Sequence, residues 1–131
     1  MTKYFFDTYA IMEIIDGNEN YNYYLNSDIV INNFTYGELC YNLLKDKVIN
    51  FESIVKGYSK HIMSVNPEWI EEAMKFRFGW KDRKVSVPDC IGYIMAKNLG
   101  IKFLTGDKEF KDLDNVEFVK SELYKLAPSI I

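Results

Sequence analysis

Four carboxylates of the chain fall where an apolar run ends or a helical pattern begins: Asp7, Glu38, Asp89 and Asp107. Asp7 closes Lys3-Tyr4-Phe5-Phe6, and Asp107 follows Phe103-Leu104-Thr105-Gly106. Glu38 lies in Thr35-Tyr36-Gly37-Glu38 and Asp89 in Ser86-Val87-Pro88-Asp89. Carboxylates packed together repel one another, and some take up protons unless a cation sits among them. Oxygen ligands without a His or Cys cluster suit Mg²⁺ or Mn²⁺ better than Zn²⁺. A divalent ion held this way activates water and steadies charge on a phosphate. Convergence of the four acids would therefore point to cleavage of a phosphodiester.

Each acid also has an ordinary local role. Thr35-x-x-Glu38 has the form of a capping box, and Ser86-x-x-Asp89 is a similar arrangement with a shorter acid. Asp7 and Asp107 read as caps of the segments that follow them. Capping and metal binding are compatible, because a first-turn acid can order a helix and still present an oxygen outward. Asp7 and Asp107 border hydrophobic strands, where charge is costly unless compensated.

The elements that would position these acids alternate. Tyr4–Phe6 reads as a buried strand, and Asp7-Thr8 opens an amphipathic helix to about Ile15. A short helix at Tyr21–Leu25 and a β-branched strand at Ile29–Ile31 come next. Helices are expected over Thr35–Lys45 and from Phe51 to about Ile62, with a third strand at Met63–Val65. Asn66-Pro67-Glu68 is a helix start, with Asn as N-cap and Pro at the first helical position. Ser86 starts a further helix that stops at Gly100. Lys102–Leu104 and Glu117–Val119 complete the strands. This order predicts an α/β chain with a mostly parallel sheet of about five strands and helices on both faces. In such sheets the site lies beyond the carboxyl ends of the strands, where strand order reverses.

Bulk properties narrow the reading. The 131 residues suffice for one domain, spanning 1–131, and 27% charged with 48% hydrophobic residues argues for a packed core. Net charge is −3, which excludes a broadly basic nucleic-acid surface. Cations instead gather in one window, Lys75, Arg77, Lys81, Arg83 and Lys84, which holds both arginines of the chain. Arg77, Arg83 and Lys84 are candidate RNA-backbone contacts, against the alternative of a solvated helix face and loop. Trp80 is more readily packing than a base-stacking platform. Cys40 and Cys90 lack metal-ligand spacing and are expected to be free thiols within helices. His61, the only histidine, falls at a helix end and has no nucleophile pattern beside it. Asp7 interrupts the first apolar run, so no signal peptide is expected, and no run reaches membrane-spanning length. A cytoplasmic protein is the default expectation.

The wording around the acids resembles that of PIN-domain ribonucleases, with the VapC-type toxins as the nearest branch. The resemblance rests on Phe6-Asp7-Thr8, Thr35-x-x-Glu38-Leu39, Val85-Ser86-Val87-Pro88-Asp89 and Leu104-Thr105-Gly106-Asp107-Lys108-Glu109-Phe110, in that order along the chain. Tyr9 stands where many such proteins carry Ser, so Thr8 or Thr105 is the candidate supporting hydroxyl. The resemblance implies a single-domain, three-layer PIN-like fold and an Mg²⁺- or Mn²⁺-dependent endoribonuclease leaving 5′-phosphate and 3′-hydroxyl ends. It implies Asp7 and Asp89 as direct ligands, Glu38 and Asp107 as supporting acids, RNA as substrate, a cognate antitoxin and a homodimer. The rival readings are an inactive or RNA-processing PIN module and a phosphoacceptor receiver domain. The receiver would want adjacent acids after the first strand, where this chain has Asp7 alone.

Overall fold

The computed structural model describes residues 2–121. Residues 1 and 122–131 of the expected domain lie outside that range. Four strands form one sheet: β1 (Lys3–Phe6), β2 (Asp28–Val30), β3 (Lys102–Thr105) and β4 (Val116–Phe118). Their spatial order is β2-β1-β3-β4 and every pairing is parallel. The helices are α1 (Thr8–Ile15), α2 (Asn33–Lys45), α3 (Phe51–Ser59), α4 (Pro67–Gly79) and α5 (Val87–Leu99). Short 3₁₀ turns cover Glu19–Tyr24 and Lys108–Phe110.

Side-chain alternation along the strands splits the core in two. Tyr4, Phe6 and Leu104 pack with Ile11, Tyr21, Leu39 and Leu43 on the side of α1, α2 and α3. Phe5 and Phe103 point the other way, onto Ile91, Met95 and Ala73 of α4 and α5. That second side is built from rings: Phe103, Tyr93, Phe110, Phe76 and Trp80 lie in a chain of contacts with centroids 4.8–6.0 Å apart. The result is a three-layer α/β domain, as expected.

The expected fifth strand at Met63–Val65 is reduced to one bridge, Ile31 with Ile62. The Met63 amide donates to the Ile31 carbonyl at 2.8 Å, and pairing then stops. Asn66 and Pro67 follow at once, and Asn66 caps α4 through its side chain. A helix start this close leaves no length for a ladder. The segment Tyr21–Leu25 forms a 3₁₀ turn at Glu19–Tyr24, and α3 ends at Ser59 instead of Ile62. Gly100 ends α5 in the left-handed region at φ 71°, the backbone shape that glycine adopts without a Cβ clash.

Candidate functional site

From β1 the chain goes to β2 on one side, then returns to β3 and β4 on the other. Strand order therefore reverses between β1 and β3. Asp7 follows β1 directly and Asp107 follows β3 by two residues, so both acids emerge at that reversal. The Asp7 amide donates to the Leu104 carbonyl at 3.1 Å, which extends the ladder into the site. Thr105 is fully buried, and its hydroxyl donates to Asp7 Oδ2 at 2.5 Å while accepting from the Asp107 amide at 3.0 Å. One side chain thus joins the two strand-end acids.

Asp7 is only 2% exposed. Its Oδ1 accepts from the Ala10 amide at 2.8 Å and caps α1. Burial holds the Asp7 carboxyl well above its usual pKa; Asp89 and Asp107 push the same way, while the bonds from Thr105 and Ala10 oppose the shift. Asp89 is pushed up to about 6, by burial first and then by Glu38, with Asp107 adding to it and Ser86 opposing. Asp107 is raised by burial and by Glu109, against the bond its Oδ1 accepts from the Glu109 amide. Asp7, Glu38, Asp89 and Asp107 therefore share one electrostatic neighbourhood, although they come from four separate segments.

The helices place the other two acids differently. Ser86 caps α5 by accepting from the Asp89 amide, as expected, and Asp89 lies in the first turn. Helix α2 begins two residues before the expected start at Thr35. Its cap is the buried Asn32, which accepts from the Thr35 amide at 2.9 Å, so the expected capping box does not form. Thr35 faces the core and Glu38 falls in the second turn. There Glu38 accepts a 2.5 Å hydrogen bond from the Thr8 hydroxyl. Both candidate hydroxyls are thus engaged with acids, Thr8 with Glu38 and Thr105 with Asp7.

Gly106 is required by close packing. A Cβ there would lie 2.7 Å from the Tyr9 ring and 2.8 Å from the Tyr21 hydroxyl. A cleft of about 530 Å³ opens beside the acids, lined by Thr8, Tyr9, Met12, Glu13 and Asp16 of α1 and its C-cap, by Glu38, Asn42, Lys45 and Asp46 of α2 and its C-cap, and by Asp89. Glu13 and Tyr9 were not candidates from the sequence. The available signal was Glu13 itself, an acid inside the apolar run Ile11-Met12-Glu13-Ile14-Ile15.

The arginines are committed to protein contacts. Arg77 Nε donates to the Val85 carbonyl at 3.2 Å. Arg83 donates to the Glu109 carbonyl at 3.2 Å, approaches the Glu109 carboxylate at 3.8 Å and lies 4.2 Å over the Trp80 ring. Trp80 in turn packs on Phe76 and Phe110. These contacts brace the loop that leads to Ser86 and Asp89. Lys84 is exposed on that loop. Both cysteines, Cys40 in α2 and Cys90 in α5, are free. No helix among the described residues is long and apolar enough to cross a membrane.

The donors fit a hard divalent cation by their chemistry: all are carboxylate oxygens, and Asp7 and Asp89 are both raised, by burial first and then by neighbouring acids. Among the described residues no three His, Cys, Asp or Glu side chains are grouped closely enough to hold a metal ion by themselves. An ion that keeps much of its water shell, as Mg²⁺ does, asks for fewer direct protein ligands.

Comparison with known proteins agrees with this geometry. The family model of the PIN domain matches residues 4–116. No curated protein matches the chain in sequence. Among solved structures, VapC20 of Mycobacterium tuberculosis, described as a Sarcin-Ricin loop cleaving toxin, superposes with a TM-score of 0.73 at 16% identity, over 88% of this chain and 98% of that one. A toxin-antitoxin complex from Klebsiella pneumoniae gives 0.71 at 18% identity, covering 89% and 98%. DNA-bound VapBC from Salmonella typhimurium gives 0.67 at 18% identity, covering 92% and 98%. With its parallel sheet, its acids gathered where strand order reverses, and a family match over most of its length, the chain belongs to the PIN domain family.

Proposed function

We propose that the protein is a metal-dependent endoribonuclease and the toxin of a toxin–antitoxin pair. The observation that carries this reading is Asp7, a carboxylate sealed at the ends of two parallel strands and surrounded by further acids. Keeping an acid in such a place is costly for folding and useful for holding a cation. The VapC and VapBC structures that share the fold support the toxin assignment and an antitoxin partner.

Asp7 and Asp89 would hold Mg²⁺ or Mn²⁺ directly, with Glu38 and Asp107 supporting it through water. The bound ion would supply activation of water and stabilisation of charge on the phosphate being cut. Thr105 fixes the Asp7 carboxylate and the Asp107 turn as one unit, and Thr8 fixes Glu38. Lys84, exposed on the loop that Arg83 and Arg77 order, would meet the RNA backbone. The products would carry 5′-phosphate and 3′-hydroxyl ends, and the protein would act as a homodimer in the cytoplasm until an antitoxin binds.

The test is cleavage of mixed RNA by purified protein in Mg²⁺, in Mn²⁺ and in EDTA, beside Asp7→Asn. Substitution of groups that merely orient metal ligands costs about 10–100-fold, so removing a ligand charge should cost more than about 100-fold. Equal cutting by wild type and variant, or cutting in EDTA, would sink the proposal. Metal binding to wild type without any RNA cleavage would favour an inactive PIN module.

A further inference from the structure

The cleft between α1 and α2 runs on from Glu38 and Asp89, and the chemistry above does not use its far part. Glu13 lies in its wall. The residue is 7% exposed, and its Oε1 has no hydrogen-bond partner among the described residues. A buried acceptor left unpaired is costly, and a donor arriving with a ligand would satisfy it. Around it the cleft presents Asp16, Glu38, Asp46 and Asp89 against Lys45. That balance repels phosphates and favours a group carrying N–H donors. Asn42 adds a neutral amide, Met12 an apolar surface, and Tyr9, 38% exposed, a ring. The volume, about 530 Å³, falls in the range of small-ligand pockets, roughly 300–1,000 Å³.

We propose that this cleft reads an unpaired guanine of the RNA near the phosphate that is cut, with Glu13 accepting from the guanine N1–H and N2–H₂ and Tyr9 stacking on the base. Guanine is the standard base with two adjacent donors on its Watson–Crick edge, which a carboxylate can accept together. Single-stranded RNA is commonly read in this manner, by stacking on aromatic side chains and hydrogen bonds to exposed base edges. The cleft joins the acids, so a strand lying on Glu38 and Asp89 delivers its neighbouring base there, while its phosphates remain outside. The proposal rests on the nuclease reading for the identity of the polymer.

The test compares short single-stranded RNAs carrying one guanine, inosine (which lacks the N2 amino group) or adenine. Binding is measured by fluorescence anisotropy in Mg²⁺ on an Asp7→Asn background, with and without Glu13→Gln. Cut sites in mixed RNA are mapped in parallel for wild type and Glu13→Gln. The guanine RNA should bind about 5- to 100-fold more tightly than the other two, the range of one good bidentate pair, and Glu13→Gln should erase the difference. Tyr9→Ala, at an exposed position, should weaken all three RNAs by about 5- to 100-fold through lost stacking. Equal binding of guanine and inosine RNAs, or a guanine preference that survives Glu13→Gln, overturns the proposal. So does displacement by an arginine-rich peptide that requires Glu13 when no base preference exists, since the occupant is then a protein side chain. Guanine-selective binding without metal-dependent cutting would overturn the nuclease reading and leave the base site standing.

Discussion

The candidate site has two halves built by different means. Asp7 and Thr105 sit at the ends of neighbouring parallel strands, sealed from solvent and locked by backbone register. Glu38 and Asp89 come from helices whose starts are set by the caps Asn32 and Ser86, and both side chains open into the α1–α2 cleft. The sealed half has little freedom to relax around a lost group, whereas the open half can recruit water in its place. Position should therefore be expensive to disturb in the first half and cheaper in the second.

Thr105→Val tests the sealed half most directly. It keeps the shape and deletes the hydroxyl, leaving Asp7 Oδ2 without its donor and the Asp107 amide without its acceptor. Cleavage should fall by about 10–100-fold, the cost of losing a group that orients metal ligands, and stability by about 1–3 kcal/mol. Thr8→Val, which deletes the hydroxyl donated to Glu38, should cost less on both counts. A Thr8→Val effect equal to or larger than that of Thr105→Val, in parallel rate and denaturant measurements, would erase the distinction between the halves.

The pH dependence comes next in size. Asp89 is raised from 3.8 to about 6, and Asp7 and Asp107 are raised too. A raised acid in the folded state retains protons that the unfolded chain releases, so its contribution to stability falls as pH rises through that interval. Without metal, the stability of wild type relative to Asp89→Asn should decline between about pH 4 and 6 and then level off. Divalent cations bind the deprotonated form and should reverse the decline, and cleavage should climb over the same interval. A flat stability difference across it would show that Asp89 is not held in the acidic surroundings described.

The caps should give the smallest effects. Ser86→Ala and Asn32→Ala should each cost about 0.5–2 kcal/mol in denaturant unfolding, with Asn32 the larger because its amide is fully buried and also contacts Met95 Sδ at 3.6 Å. Cleavage should fall only as far as Asp89 or Glu38 shifts. An Asn32→Ala protein with unchanged stability would mean that α2 begins at Thr35 after all.

Much of this arrangement was legible along the chain because it is local. Asp7 before Ala10, Ser86 before Asp89 and Asp107 before Glu109 are hydrogen bonds spanning two or three residues. The start of α2 is ambiguous in sequence because both Asn32 and Thr35 are good caps, and only burial of Asn32 in the core selects between them. Met63–Val65 looked like a strand by composition, yet α4 begins too soon for it to pair. Arg83 reads as a phosphate contact in sequence, and its engagement with Glu109 depends on a turn 26 residues away.

The order of elements apart from Met63–Val65, the caps at the strand ends and the four acids follow from the sequence alone, since propensity, apolar period and short-range hydrogen bonds decide them. Which acids meet was decided by the tertiary structure. The bond from Thr105 to Asp7 joins residues 98 positions apart, and that from Thr8 to Glu38 joins residues 30 apart. Both require β1 to lie between β2 and β3. Alternating apolar residues say that a strand is buried without saying which neighbour it takes. The Glu13 oxygen, unpaired among the described residues, belongs to the same class of fact, because an acid within an apolar run shows its lack of a partner only once the surrounding helices have packed.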